Sequence, residues 1–120
     1  MSETVLVIED NEQNMYLMNF ILEKNGFRVI KAMDGHDGIE IACREIPDLI
    51  LLDIQLPRMD GYEVARNLRK SAGLKEVPII AVTSYAMVGD KEKAIAAGCT
   101  GYIEKPINPN TFVDEIKKYL

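Results

Sequence analysis

Cysteine and histidine are nearly absent from this chain: two and one, respectively, among 120 residues. Cys43 and Cys99 share no metal-like or redox-like spacing, so neither a zinc site nor a dithiol motif is available. Cys43 is expected on the apolar side of a helix, and Cys99, just after Gly98, as a small residue filling a gap. The lone His36, set among Asp34, Gly35, Asp37 and Gly38, makes no metal site and reads as a solvated residue at a helix start. No apolar run is long enough to span a bilayer, and Met1-Ser2-Glu3-Thr4 lacks the basic and apolar regions of a signal peptide, so a cytoplasmic protein without a membrane partner is expected. Basic charge is also in deficit. With Lys+Arg 14 against Asp+Glu 19 the formal net charge is −5, which gives nucleic-acid binding no electrostatic support.

What is present is an ordinary globular composition, 48% hydrophobic and 28% charged, in a chain the size of one domain spanning residues 1–120. Strand-like and helix-like patterns alternate throughout. Continuous apolar runs predict strands at Thr4–Ile8, Phe27–Ala32, Asp48–Asp53, Val77–Thr83 and Gly101–Glu104, the second nearer an edge because Arg28 and Lys31 interrupt it. Helical spacing predicts helices over Glu12–Asn25, from Asp34 or Gly35 to Glu45, over Tyr62–Ser71 and over Asp90–Ala97. In the second of these Gly38, Ile41, Ala42 and Cys43 form the expected inner face. Asn108-Pro109 reads as the start of a last helix running to about Leu120. Five strands and five helices in strict alternation imply a doubly wound α/β fold with a parallel sheet.

The carboxyl ends of the strands carry the chemistry. The first apolar run ends in Glu9-Asp10, the central one in Asp53, the fourth in Thr83-Ser84 and the last reaches Lys105-Pro106. In open α/β sheets that edge is where ligands bind. Three carboxylates crowded together raise one another's pKa values unless a cation joins them. Oxygen-only donors suit a hard ion, Mg²⁺ first, with Mn²⁺ as an alternative. A lysine, a hydroxyl and a cation around a nucleophilic carboxylate suit phosphoryl transfer, which needs mostly positioning and charge stabilisation.

As an ordered set, Glu9-Asp10, Leu51-Leu52-Asp53-Ile54-Gln55-Leu56-Pro57, Asp60-Gly61, Thr83-Ser84, Gly98-Cys99-Thr100-Gly101-Tyr102 and Lys105-Pro106 resemble the receiver domain of two-component response regulators. Within that family the chain is similar to stand-alone CheY-like regulators of the DivK kind, notably over Asp10-Asn11-Glu12-Gln13-Asn14-Met15. The resemblance implies a flavodoxin-like, CheY-like sheet of strand order 2-1-3-4-5. It also implies a phosphoacceptor at Asp53, served by a histidine kinase or a phosphotransfer histidine. Asp10, Asp53 and the backbone carbonyl of Gln55 would ligate Mg²⁺, with Glu9 acting through water. Lys105 would pair with the phosphoryl oxygens, and its bond to Pro106 would be cis. Thr83 would hydrogen-bond the phosphoryl group and Tyr102 would rotate inward, changing the face made by the fourth helix, last strand and last helix for a downstream protein. On this reading the chain is a signalling protein, a monomer, and no enzyme beyond assisting its own phosphorylation and dephosphorylation.

Finer expectations concern single residues. Gln55 and Tyr85 stand two residues beyond Asp53 and Thr83, places that the resemblance implies govern access of the hydrolysing water. Tyr85 is expected to shield the acyl phosphate, and Ser84, where the family more often has alanine, to leave phosphate access open. Met15, Tyr16 and Phe20 flank the core face of the first helix, as packing or as a docking surface for the phosphodonor. Met87-Val88-Gly89 is a poor helix sequence ahead of Asp90. An aspartate-nucleophile phosphatase of the haloacid dehalogenase type would need a general acid two residues beyond Asp53, where Gln55 stands. A flavodoxin-like carrier would need a phosphate-cradling first loop, and Glu9-Asp10 would repel it. The initiator-like Met1 and the stop after the last helix favour a free-standing regulator over a receiver cut from a hybrid kinase or multidomain regulator.

Overall fold

A computed structural model describes residues 3–84 and 89–120; the expectations for Tyr85, Met87 and Val88 lie outside the described residues. Strands β1 (Thr4–Ile8), β2 (Arg28–Ala32), β3 (Leu49–Asp53), β4 (Ile79–Thr83) and β5 (Gly101–Glu104) form one sheet in the order β2-β1-β3-β4-β5. All neighbouring pairs are parallel, with Ile8 opposite Ala32 and Leu52, Asp53 opposite Val82, and Thr83 opposite Glu104. This is the doubly wound order implied by the sequence resemblance, with β2 at an edge.

Helices cover both faces, which is why the central strands are apolar at every position instead of alternating. β3 and β4 are buried along their whole length. On one face Leu6, Ile8, Ile50, Leu52, Ile79 and Ala81 meet α2 (Gly35–Glu45), α3 (Gly61–Lys70) and α4 (Asp90–Ala97). On the other Val5, Val7, Leu49, Leu51, Ile80 and Val82 meet α1 (Glu12–Lys24) and α5 (Phe112–Lys117). Side-chain caps set where three helices begin: Asn11, Asp34 and Asp60 accept the N–H groups of Asn14, Asp37 and Glu63. No helix among the described residues is long and apolar enough to cross a membrane.

Four local expectations are corrected. The stretch Asn108-Pro109 does not open the last helix. The Asn108 carbonyl accepts from both Thr111 and Phe112 N–H and its side chain accepts from Asn110 N–H, so a turn occupies these residues and α5 begins at Phe112. Cys43 is exposed instead of facing inward, because the buried stripe of α2 runs through Gly35, Gly38 and Ala42, and one further residue turns about 100° away from it. Val77 precedes β4, its N–H held by the Leu74 carbonyl after a 3-10 turn at Ala72–Leu74 that the sequence pattern did not suggest. Phe27 likewise precedes β2, its N–H returning to the Leu22 carbonyl as part of the close of α1.

Candidate functional site

The parallel register brings the carboxyl ends of β1, β3 and β4 side by side, and each strand delivers polar residues there as its apolar run stops. Asp53 is the last residue of β3 and is 4% exposed; Glu9, directly after β1, is fully buried. One oxygen each from Glu9, Asp10 and Asp53 lie within 4.8 Å of one another, with Asp10 exposed at the opening. Lys105 follows β5 and inserts its ammonium between the two buried acids. Its Nζ is 2.7 Å from Glu9 Oε1 and 3.5 Å from Asp53 Oδ2. The Lys105 N–H donates to the Thr83 carbonyl at 2.7 Å, which fixes the lysine's stem to the end of β4, and the Lys105–Pro106 bond is cis.

The loop after β3 closes over the acceptor side. The Gln55 N–H donates to Asp53 Oδ1 at 3.0 Å. Gly61, the first residue of α3, lies so close to this loop that a Cβ there would stand 2.7 Å from the Asp53 carbonyl oxygen and 2.5 Å from Ile54 Cα. Only glycine allows the helix to start this near the acid.

Burial is the largest effect on Glu9 and, with the facing Asp53 carboxylate, pushes its carboxyl up to about 7, although Lys105 pulls the other way. One buried cation is insufficient for two carboxylates and a third at the rim. The surplus negative charge and the all-oxygen donor set fit a hard divalent cation.

These residues line a cleft of about 320 Å³, with buried Glu9 and Asp53 and the Lys105 ammonium at its floor and exposed Asp10 at its rim. Asn11, Asn14, Gln55 and Ser84 complete its lining. Thr83 is buried at the end of β4, one residue beyond Val82, the partner of Asp53. Tyr102 is elsewhere. It is half-buried on β5 opposite Ala81 and lines a separate cleft of about 560 Å³ with Glu92, Glu104 and Glu115. Partial burial, then the charges of Asp90 and Glu104, hold its phenol above the ordinary range.

The structure thus gathers Glu9, Asp10, Asp53, Gln55 and Lys105 at one cleft, sets Thr83 beside it and leaves Tyr102 on another. Sequence reasoning overlooked Asn11 and Asn14 as lining residues; their signal was the helix cap, in which Asn11 Oδ1 accepts from Asn14 N–H at 2.9 Å. It named Ser84 without foreseeing that Ser84 Oγ donates to Gln55 Oε1 at 2.9 Å.

Residues 5–117 match the family model described as the response regulator receiver domain. A curated relative, the polar-differentiation response regulator DivK of Brucella abortus, is 42% identical over 120 residues, covering all of this chain and 98% of that protein. Among solved structures, the Vibrio cholerae chemotaxis protein CheY4 superposes with a TM-score of 0.95 at 28% identity, each chain covered completely. The receiver domain of the sensor histidine kinase PA1611 from Pseudomonas aeruginosa PAO1 superposes with a TM-score of 0.92 at 33% identity, covering 99% of this chain and 98% of that one. That structure has a magnesium ion coordinated in its active site cleft.

Proposed function

The chain belongs to the response regulator receiver domain family, and from that premise we propose that Asp53 is the phosphoacceptor of a DivK-like two-component switch. As such it is a signalling protein and not a classical enzyme. The observation that carries the assignment is the position of the Asp53 carboxylate, 4% exposed and 3.5 Å from the Lys105 ammonium, at the floor of a cleft. Glu9 shares that lysine, and its buried charge makes the site electrostatically incomplete without a further cation.

Receiver domains bind Mg²⁺ at an acidic pocket. Here Asp10, Asp53 and the Gln55 carbonyl would hold it directly and Glu9 through water; a bound ion would add positive charge against the phosphoryl oxygens. Asp53 Oδ attacks the phosphorus of a phosphohistidine, the P–N bond breaks, and the imidazole leaves with the electron pair and takes up a proton. Lys105 turns from the carboxylates to the transferred oxygens, and the Thr83 hydroxyl donates to them. The pull of the phosphoryl group on Thr83 then favours inward rotation of Tyr102, which alters the α4–β5–α5 face for a downstream protein. The phosphodonor is a histidine kinase or a phosphotransfer protein, docking beside the cleft on the exposed rings of α1, in the cytoplasm. One receiver unit accounts for residues 1–120, whether the chain acts as a monomer by itself or within a longer regulator.

Acetyl phosphate with Mg²⁺, followed by intact mass, tests the acceptor. The wild type should gain one phosphoryl mass and Asp53→Asn none. A gain that survives this substitution overturns the assignment.

A further inference from the structure

The end of α1 carries a chemically labile pair that the acidic cleft does not use. Asn25 closes the helix, and Gly26 follows at φ +87, the left-handed conformation in which the chain turns away. The Gly26 N–H donates to the Glu23 carbonyl and the Phe27 N–H to the Leu22 carbonyl, both at 3.1 Å. The Asn25 side-chain amide donates to the Ile21 carbonyl at 2.8 Å. These bonds satisfy carbonyls that a helix leaves open at its end. Asn25 and Gly26 are both exposed, and nothing lies within 4 Å of the place a Cβ on Gly26 would take. Water and base therefore reach the peptide between them. Among the asparagines of this chain, only Asn25 is followed by glycine.

We propose that Asn25 is a site of spontaneous deamidation, reached when the last turn of α1 opens. Solvent base takes the Gly26 amide proton, and the nitrogen attacks Asn25 Cγ. The bond from Cγ to Nδ2 breaks and ammonia leaves with a proton from water, closing a succinimide. Water then cleaves the ring nitrogen either from Cγ, which gives aspartate, or from the main-chain carbonyl carbon, which gives isoaspartate. A side chain on the following residue would crowd the attacking nitrogen, and glycine has none. In the closed turn both reacting groups are engaged, the Gly26 N–H on Glu23 and the Asn25 amide on Ile21. Such bonds are modest in water and helix ends fray, so the fold slows the reaction without stopping it. The product takes a donor away from Ile21 and sets a carboxylate against the carbonyl end of the helix. Isoaspartate also lengthens the main chain ahead of Phe27, which is buried in the same core as Met18 and Leu22.

The test holds the full chain folded in mildly alkaline buffer and, in parallel, unfolded in urea, with both followed by intact mass and peptide mapping. The folded chain should exchange one amide for a carboxylate at Asn25, with isoaspartate among the products. Two hydrogen bonds must open first, so it should react about thirty-fold more slowly than the unfolded chain, or about 2 kcal/mol at about 1.36 kcal/mol per factor of ten. Asn25→Gln, whose longer amide closes a ring far less readily, should abolish the mass change. Asn25→Asp, the hydrolysed form, should melt about 4 °C below the wild type. An Asn25 that stays intact in the folded chain while the unfolded chain reacts overturns the proposal. So does equal reaction in the two states, because the turn then controls nothing, and so does conversion of another asparagine ahead of Asn25. Unchanged melting of Asn25→Asp overturns the loss of the cap.

Discussion

Lys105 Nζ lies 2.7 Å from Glu9 Oε1, an ion pair between residues 96 positions apart in the chain. Glu9 is fully buried and the Lys105 side chain is 9% exposed, so water does little to screen the pair. The same ammonium also serves Asp53 at 3.5 Å. One cation between two buried carboxylates ties β1, β3 and β5 together and makes the site sensitive to any added positive charge.

Removing that cation should therefore be costly. Lys105→Met leaves two buried carboxylates facing each other and should lower stability in EDTA by about 3 to 5 kcal/mol, measured by urea unfolding. Mg²⁺ should restore part of the loss. In the wild type, Mg²⁺ at about 100 times its Kd should add about 2.7 kcal/mol. If Mg²⁺ stabilises neither protein, the cleft does not hold the ion.

At the opposite end of β4 the Arg69 guanidinium acts as a clamp. It donates to the carbonyls of Gly98 at 2.8 Å, Leu74 at 2.6 Å and Val77 at 2.7 Å, and to Thr100 Oγ1 at 3.1 Å. Arg69→Met should cost about 2 to 4 kcal/mol by leaving several carbonyls without a donor. Gly98 has φ +113, and a Cβ there would meet Arg69 Cγ at 2.6 Å. Gly98→Ala should thus cost about 2 kcal/mol through backbone strain and displacement of the arginine. Unchanged melting of both variants would show that the clamp contributes nothing.

The two thiols should behave differently. Cys43 is exposed and Cys99 buried. Burial pushes the Cys99 thiol from 9.0 up to about 11, against a smaller downward pull from Arg69. Iodoacetamide at about pH 8 should label Cys43 in the folded protein and Cys99 only after unfolding. A raised pKa means that the fold favours the neutral thiol. This contribution is complete below 9.0 and is lost as pH rises through about 11. Cys99→Ala should flatten that part of the alkaline stability profile, and an unaltered profile would refute the contribution.

On α1 the candidate docking residues divide. Met15 is 5% exposed and belongs to the core, whereas Tyr16 is 72% and Phe20 53% exposed. Their rings stack at 6.4 Å, and Lys24 Nζ stands 5.8 Å from the Phe20 centroid. Tyr16→Ser and Phe20→Ser should change stability by no more than about 1 kcal/mol. Both should slow phosphotransfer from a phosphohistidine protein and leave labelling by acetyl phosphate intact. Equal slowing with both donors would argue against docking. Met15→Ser, in contrast, should destabilise by about 2 kcal/mol or more.

Much of this arrangement was legible because β1, β3 and β4 are unbroken apolar runs that stop abruptly at Glu9, Asp53 and Thr83. Such punctuation marks a strand end whatever the rest of the chain does. The start of α5 was misread because Asn108-Pro109 has the composition of a helix start, while the Asn108 carbonyl is used by a turn. Cys43 was misplaced because Ile41, Ala42 and Cys43 are all apolar, and composition alone does not say which of them meets β1.

By itself the sequence determined the alternation of strands and helices and the residue types gathered at the strand ends, since both depend on local periodicity and on where apolar runs break. The family resemblance implied the strand order, but only the tertiary structure set the distances across it. It decided that Lys105 meets Glu9 more closely than Asp53, that Ser84 reaches Gln55, and that Arg69 joins Leu74 and Val77 to Gly98 and Thr100. These contacts depend on which strands are neighbours and how far each side chain extends, and local periodicity carries no information about either.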